Sequence, residues 1–211
     1  MPWTGATREA DSNGHQIGVA RSTPSFCLPM LTRLLLIPAL IAIACIAAGL
    51  YGVVHNQLSY TLSPEYFTEF KFIQFDIDPS LPERAGASIV GWHGARWMGV
   101  VISYLLIPLG LVIRGDANYF WGMLRVFAVV ALTAFAVELI ALCYAFVTVD
   151  AIAAGEIVIY ANHVADDVAF ERVGIMHDLG YMGGYAGMAT GALAILWERK
   201  RSIRPDTATC V

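Results

Sequence analysis

Charge is what this chain has least of. Only 14% of its 211 residues are Asp, Glu, Lys or Arg, where a soluble domain carries about 25%. Too little polar chemistry remains to clothe a water-soluble globule. Thiol chemistry is equally thin. The four cysteines, Cys27, Cys45, Cys143 and Cys210, show no CxxC or other ligand spacing. That argues against a disulfide framework or a thiolate metal centre and leaves the thiols as small apolar filler. No HExxH or ExxH pair announces a helical metal site. A basic stripe is missing too: the net charge is -4 and the pI near 5.7, so nucleic acid is excluded as a partner.

What is abundant is apolar, and it comes in blocks. Hydrophobic residues make up 57% of the chain and the mean hydropathy is +0.61. The blocks are long enough to cross a lipid bilayer. The expected fold is an all-α membrane protein, a four-transmembrane-helix bundle with a short interfacial helix in the first outer loop. Residues 1–29 read as a disordered cytoplasmic tail and 199–211 as a basic cytoplasmic tail. Between them, 30–198 form the transmembrane domain, with spans at about 34–54, 89–113, 121–147 and 174–197. The leader before the first span is too long for a signal peptide, and no clean cleavage site follows.

The first connection, 55–88, holds Tyr60, Tyr66, Phe67, Phe70, Phe72 and Phe75. Ser63 can cap a short helix with Pro64 at its first position and Glu65 in its first turn. Phe67 and Phe70 would share one face and Glu65 and Glu69 another, the pattern of a helix lying among lipid headgroups.

Basic residues set the orientation. With both termini cytoplasmic, Arg8, Arg21, Arg33, Arg114, Arg125, Arg199, Lys200, Arg201 and Arg204 lie inside; Lys71, Arg84, Arg96 and Arg172 lie outside. That is the distribution of a multi-pass protein of the inner membrane. The fourth span carries Gly180, Gly183, Gly184, Gly187 and Gly191 at small-xxx-small spacing. These glycines mark a helix-packing seam, within one chain or in a homo-oligomer.

Ionisable side chains in a span cost about 2.5–3.5 kcal/mol each, so each asks for a reason. At ~1.5 Å rise per residue, His55 lies about 33 Å above Arg33, Arg96 about 27 Å above Arg114, Glu138 about 20 Å above Arg125 and Asp178 about 28 Å above Trp197. His177 and His93 share that upper level. Read as one helix, 163–181 would align His163, Asp167, His177 and Asp178, with Asp166, in a stripe. Imidazoles with carboxylates suit zinc, iron or manganese. His55, Glu138, His163, Asp167, His177 and Asp178 are therefore the candidate metal ligands. The alternative is a structural ion pair in which Arg96 neutralises Glu138 or Asp178. Three functions follow: a structural or accessory membrane subunit, a metal-dependent oxidoreductase-like enzyme, or a proton-coupled small carrier with Glu138 titrating.

The stretch His55-Asn-Gln-Leu-Ser-Tyr-Thr-Leu-Ser-Pro-Glu-Tyr-Phe67, continued by Thr-Glu-Phe-Lys-Phe-Ile-Gln-Phe75, resembles a segment of small multi-pass bacterial membrane proteins of uncharacterised function. The resemblance implies a bacterial membrane setting and supplies no activity, cofactor or ligand.

Overall fold

The computed structural model describes residues 27–203; 1–26 and 204–211, which include most of both expected tails, lie outside the described residues. The chain forms α1 (Cys27–Leu62), a π-helical segment (Tyr66–Lys71), α2 (Phe72–Gln74) and α3 (Glu83–Gly110). It continues through α4 (Asp116–Thr148), α5 (Ala151–Ala154), a two-residue hairpin of β1 (Val158–Ile159) and β2 (Asn162–His163), and α6 (Asp167–Ile203).

Three helices are long and apolar enough to cross a membrane: Thr32–Leu62 within α1, all of α4 and all of α6. Helix α3 falls short by composition, since Glu83, Arg84, His93 and Arg96 all lie in its first half. It packs as intimately as the others. Helices α1 and α3 form one pair and α4 and α6 the other. In the first pair, a Cβ on Gly52 would strike the Gly91 carbonyl oxygen, and one on Gly99 would lie 2.5 Å from the Cys45 Cα. Only glycine permits backbones that close. In the second pair, Gly183, Gly187 and Gly191 are buried against Ala134, Val130 and Val126 of α4. The small-residue seam of α6 therefore serves packing within this chain.

Polar ties identify which helix ends lie together. Arg33 Nε meets Asp116 Oδ1 at 2.8 Å, and its Nη groups donate to the Leu111 and Ile113 carbonyls. That places a cation on carbonyls just past the end of α3, near the negative end of its dipole. Arg125 pairs with the buried Glu198 at 3.0 Å, and the Arg114 amide donates to Ser202. At the opposite end, the Glu65 carboxylate accepts from the amides of Ala165 and Asp166, and Glu69 accepts from Asn162. The connections 63–82 and 149–166 thus fold together over one end, here called the loop end.

Two apolar clusters lie along the axis. One gathers Leu40, Leu106, Tyr119, Met123, Val126 and Ile195. The other lies beneath the loops, around Tyr60, Tyr66, Phe67, Val90, Phe170 and Val173. Burial of a side chain the size of Phe67, fully covered here, contributes about 1.5–3 kcal/mol.

Candidate polar site at the loop end

The site is assembled from three helices and a roof. His55 of α1 brings Nδ1 to 2.8 Å from Oε2 of Glu138 on α4, both groups buried. On its other side, His55 Nε2 lies 3.3 Å from Nε2 and 3.4 Å from Nδ1 of His177 on α6. His177 Nε2 is also 3.2 Å from the Ser59 hydroxyl, which donates to the His55 carbonyl one turn earlier. With that hydroxyl proton committed, Ser59 accepts from His177, which fixes the His177 proton on Nε2. His55 then donates from Nδ1 to the carboxylate. The Tyr51 hydroxyl is buried beside Glu138.

The roof is the segment following α1. Ser63 Oγ accepts the Tyr66 amide proton at 3.3 Å, an N-cap. The expected headgroup helix is found as the π-helical segment Tyr66–Lys71, but its aromatic face points into the protein. Phe67 is wholly buried, and the Tyr66 ring stacks on His177 with centroids 4.8 Å apart. Phe67 meets the same imidazole edge-on at 6.2 Å. Glu65 and Glu69, expected to face water, clamp the roof to the segment preceding α6. Burial pushes the Tyr66 phenol above its ordinary pKa, with the Asp178 charge adding to the effect. Burial also pulls the Lys71 ammonium below its usual value, against a smaller opposing pull from Asp178.

Of the six candidate ligands, the structure brings together His55, Glu138 and His177. The other three stand apart. His163 lies in β2, exposed, with Nδ1 3.0 Å from Glu156. Asp167 accepts the Ile157 amide, and Asp178 is on an exposed face. The expected stripe over 163–181 breaks because α6 starts at Asp167. Asp166 accepts the Ala169 amide proton there and caps the helix, which a short acidic side chain does readily. Among the described residues, no group of three or more His, Cys, Asp or Glu side chains is disposed to hold a metal ion. Arg96 and His93 are exposed on α3; of the two carboxylates considered for Arg96, Glu138 is engaged by His55 instead, and among the described residues Asp178 forms no ion pair with Arg96.

The estimated depth of Glu138 needs correction. Measured from Arg125 it lay well below His55, yet the two side chains touch. Helix α4 begins at Asp116, and Arg125 is already inside it, pairing with Glu198. Counted from Asp116, Glu138 is 22 residues up; counted from Arg33, the partner of Asp116, so is His55.

A cavity of about 210 Å³ lies beneath the site, between the two helix pairs. Small residues make the gap: Ala47 and Ala48 of α1 and Gly94 and Ala95 of α3 face Ala131 and Ala134 of α4 and Gly184 of α6. Tyr51, His55, Glu138, His177, Lys71 and Tyr181 supply its ionisable lining. Sequence reading missed Tyr51, Ser59 and Lys71. Tyr51 sits one turn before His55, and a search of the neighbouring turn for hydroxyls would have found it.

Compared with protein-family models, curated proteins and solved structures, the chain matches none.

Proposed function

We propose that this chain is a four-span protein of a bacterial inner membrane, a four-helix bundle that binds a small, largely apolar molecule between its two helix pairs. Its polar end is formed by Glu138, His55 and His177. The observation that carries this reading is the cavity itself. A concave, mainly apolar pocket with a few convergent polar groups is the usual form of a small-molecule site. Ionisable groups at membrane depth mark function more often than decoration. At about 210 Å³ the space exceeds the ~150 Å³ apolar cavity known to accept benzene.

Gly94 supplies the test. A Cβ there would meet only the Phe75 ring, at 3.9 Å, so Gly94→Leu projects a side chain into the cavity with no clash at its Cβ. Native mass spectrometry of protein released from mild detergent should find a small molecule retained by the wild type and absent from Gly94→Leu. Equal retention by both proteins would defeat the reading.

A second reading has its own support, the structural or accessory subunit. Arg33–Asp116 and His55–Glu138 tie α1 to α4 at two levels 22 residues apart, roughly 33 Å, close to the ~30 Å hydrocarbon thickness. The pairs act as a register clasp, a role compatible with the pocket. A metal-dependent oxidoreductase has less support, since His163, Asp167 and Asp178 point elsewhere. A proton-coupled carrier needs a polar path onward from Glu138, and the lining below is Ala44, Ile102, Phe127 and Val130.

A further inference from the structure

The lining is graded along its length. On α1 it runs from Asn56 and His55 down to Ala44, and on α4 from Glu138 down to Phe127. From the His55–Glu138 level, each descends 11 residues, about 16 Å. Every ionisable group of the lining lies in the upper part; the lower part is Ala44, Ile102, Phe127 and Val130. A lining of that length, polar at one end and apolar at the other, suits an elongated amphiphile.

The charges at the top differ in how far they are already satisfied. Glu138 is held by His55 at 2.8 Å. Lys71, at the lip, donates to Gln74 Oε1 at 3.0 Å and lies over the Phe70 ring, 4.1 Å from its centroid. Among the described residues no carboxylate comes within ion-pair distance of Lys71. A half-buried ammonium at the polar mouth of an apolar cavity is complementary to an anion that carries a hydrocarbon tail.

We infer that the occupant is a single-chain amphiphile with a carboxylate head, a long-chain fatty acid, its head at Lys71 and its tail running down the cavity between α1 and α4. This rests on the pocket reading above and adds the chemical class of the ligand. The surrounding bilayer is the natural source of such a chain, and entry past Lys71, Gln74 and Phe75 keeps the head at the loop end throughout.

The test uses a fatty acid with a photoreactive diazirine near its tail end and the uncharged alcohol of the same chain, each added to the full chain in mild detergent. Covalent labelling is mapped by peptide mass spectrometry. In the wild type, the acid should label peptides around Ala44 and Phe127 at least ten-fold more strongly than the alcohol. Lys71→Gln should remove most of that preference by lowering acid labelling to the level of the alcohol. Gly94→Leu should abolish labelling by both. Equal labelling by acid and alcohol in the wild type, or a preference that survives Lys71→Gln, overturns the fatty-acid assignment and leaves the pocket standing. Labelling indifferent to Gly94→Leu overturns both. Lys71→Ala serves as a second variant should Lys71→Gln fail to fold.

Discussion

His55 and Glu138 meet at 2.8 Å across an offset of 83 positions, the same offset that separates Arg33 from Asp116. Helices α1 and α4 therefore run parallel without slip from one pair to the other, and slipping either by a turn would break both. The upper pair is buried, and removing Glu138 leaves the buried His55 donor without its acceptor, at about 1–3 kcal/mol. Glu138→Ala should lower the unfolding temperature in detergent by roughly 5 °C, given about 2–4 °C per kcal/mol for a chain of this size. The double variant His55→Leu with Glu138→Leu should recover much of that loss, because it removes donor and acceptor together. Additive losses in thermal unfolding would show that the two residues act independently.

Backbone proximity governs the α1–α3 pair. A side chain on Gly91 would collide with the Gly52 carbonyl, and neither helix can yield without opening the interface. Gly91→Leu should yield little folded protein, whereas Gly94→Ala, three residues along, should behave as wild type. Size-exclusion profiles of the two variants decide it, and a monodisperse Gly91→Leu would contradict the packing described.

These two relationships differ in how legible they were. The long apolar blocks stand out because lipid demands them, and α1, α4 and α6 follow directly. His55, Glu138 and His177 attracted notice because charge inside a span is costly. Their contact was obscured by measuring α4 from Arg125, an interior residue, instead of from Asp116. His163 was drawn into a stripe because periodicity cannot see a cap, and Asp166 ends the helical register there. The role of Phe67 eluded the amphipathic pattern for a similar reason. An apolar face reads the same whether lipid or protein covers it, and only tertiary contact with Tyr60 and His177 decides. The cavity had no sequence signature beyond scattered alanines and glycines.

The roof hangs on Glu65, whose two oxygens take the amides of Ala165 and Asp166. Charge-assisted bonds of this kind contribute about 1.5–3 kcal/mol in total stability terms when well made, less where exposed. Glu65→Ala should leave the spans folded yet expose both connections. Limited proteolysis should then cut within 63–82 and 149–166 several-fold faster than in the wild type. An unchanged digestion rate would mean that Tyr66 and Phe67 hold the roof alone.

Lys71 gives the protein a pH signature. Burial holds its folded-state pKa below the ordinary 10.5, so the charged form is disfavoured on folding. Between the two values the unfolded chain binds more protons, and stability rises with pH across that window. Below it the full penalty is present. Lys71→Met should therefore raise the unfolding temperature of ligand-free protein at pH 7 by about 1–2 °C, the modest size reflecting solvent screening. The gain should shrink as pH approaches 10.5. A gain independent of pH would trace to apolar packing of the methionine instead.

Helix α3 is the decisive case for the membrane arrangement, because its composition alone does not require lipid. The chain just past its end at Gly110 is held at Arg33 through the Ile113 carbonyl, and Arg96 lies 14 residues above that end, roughly 21 Å. An exposed arginine at that height reaches the headgroups by extending its side chain, at little cost. Glu65 and Glu69 join the two longer connections at one end, while Asp116 is bound to Arg33 at the other. Reporter fusions after Ser80 and after Glu156 should thus report the outer compartment, and one after Asp116 the cytoplasm, as the basic residues near Arg114 and Arg199 demand. If the fusions after Ser80 and Asp116 share a compartment, α3 does not cross. The cavity would then open onto water along one side instead of being sealed by lipid.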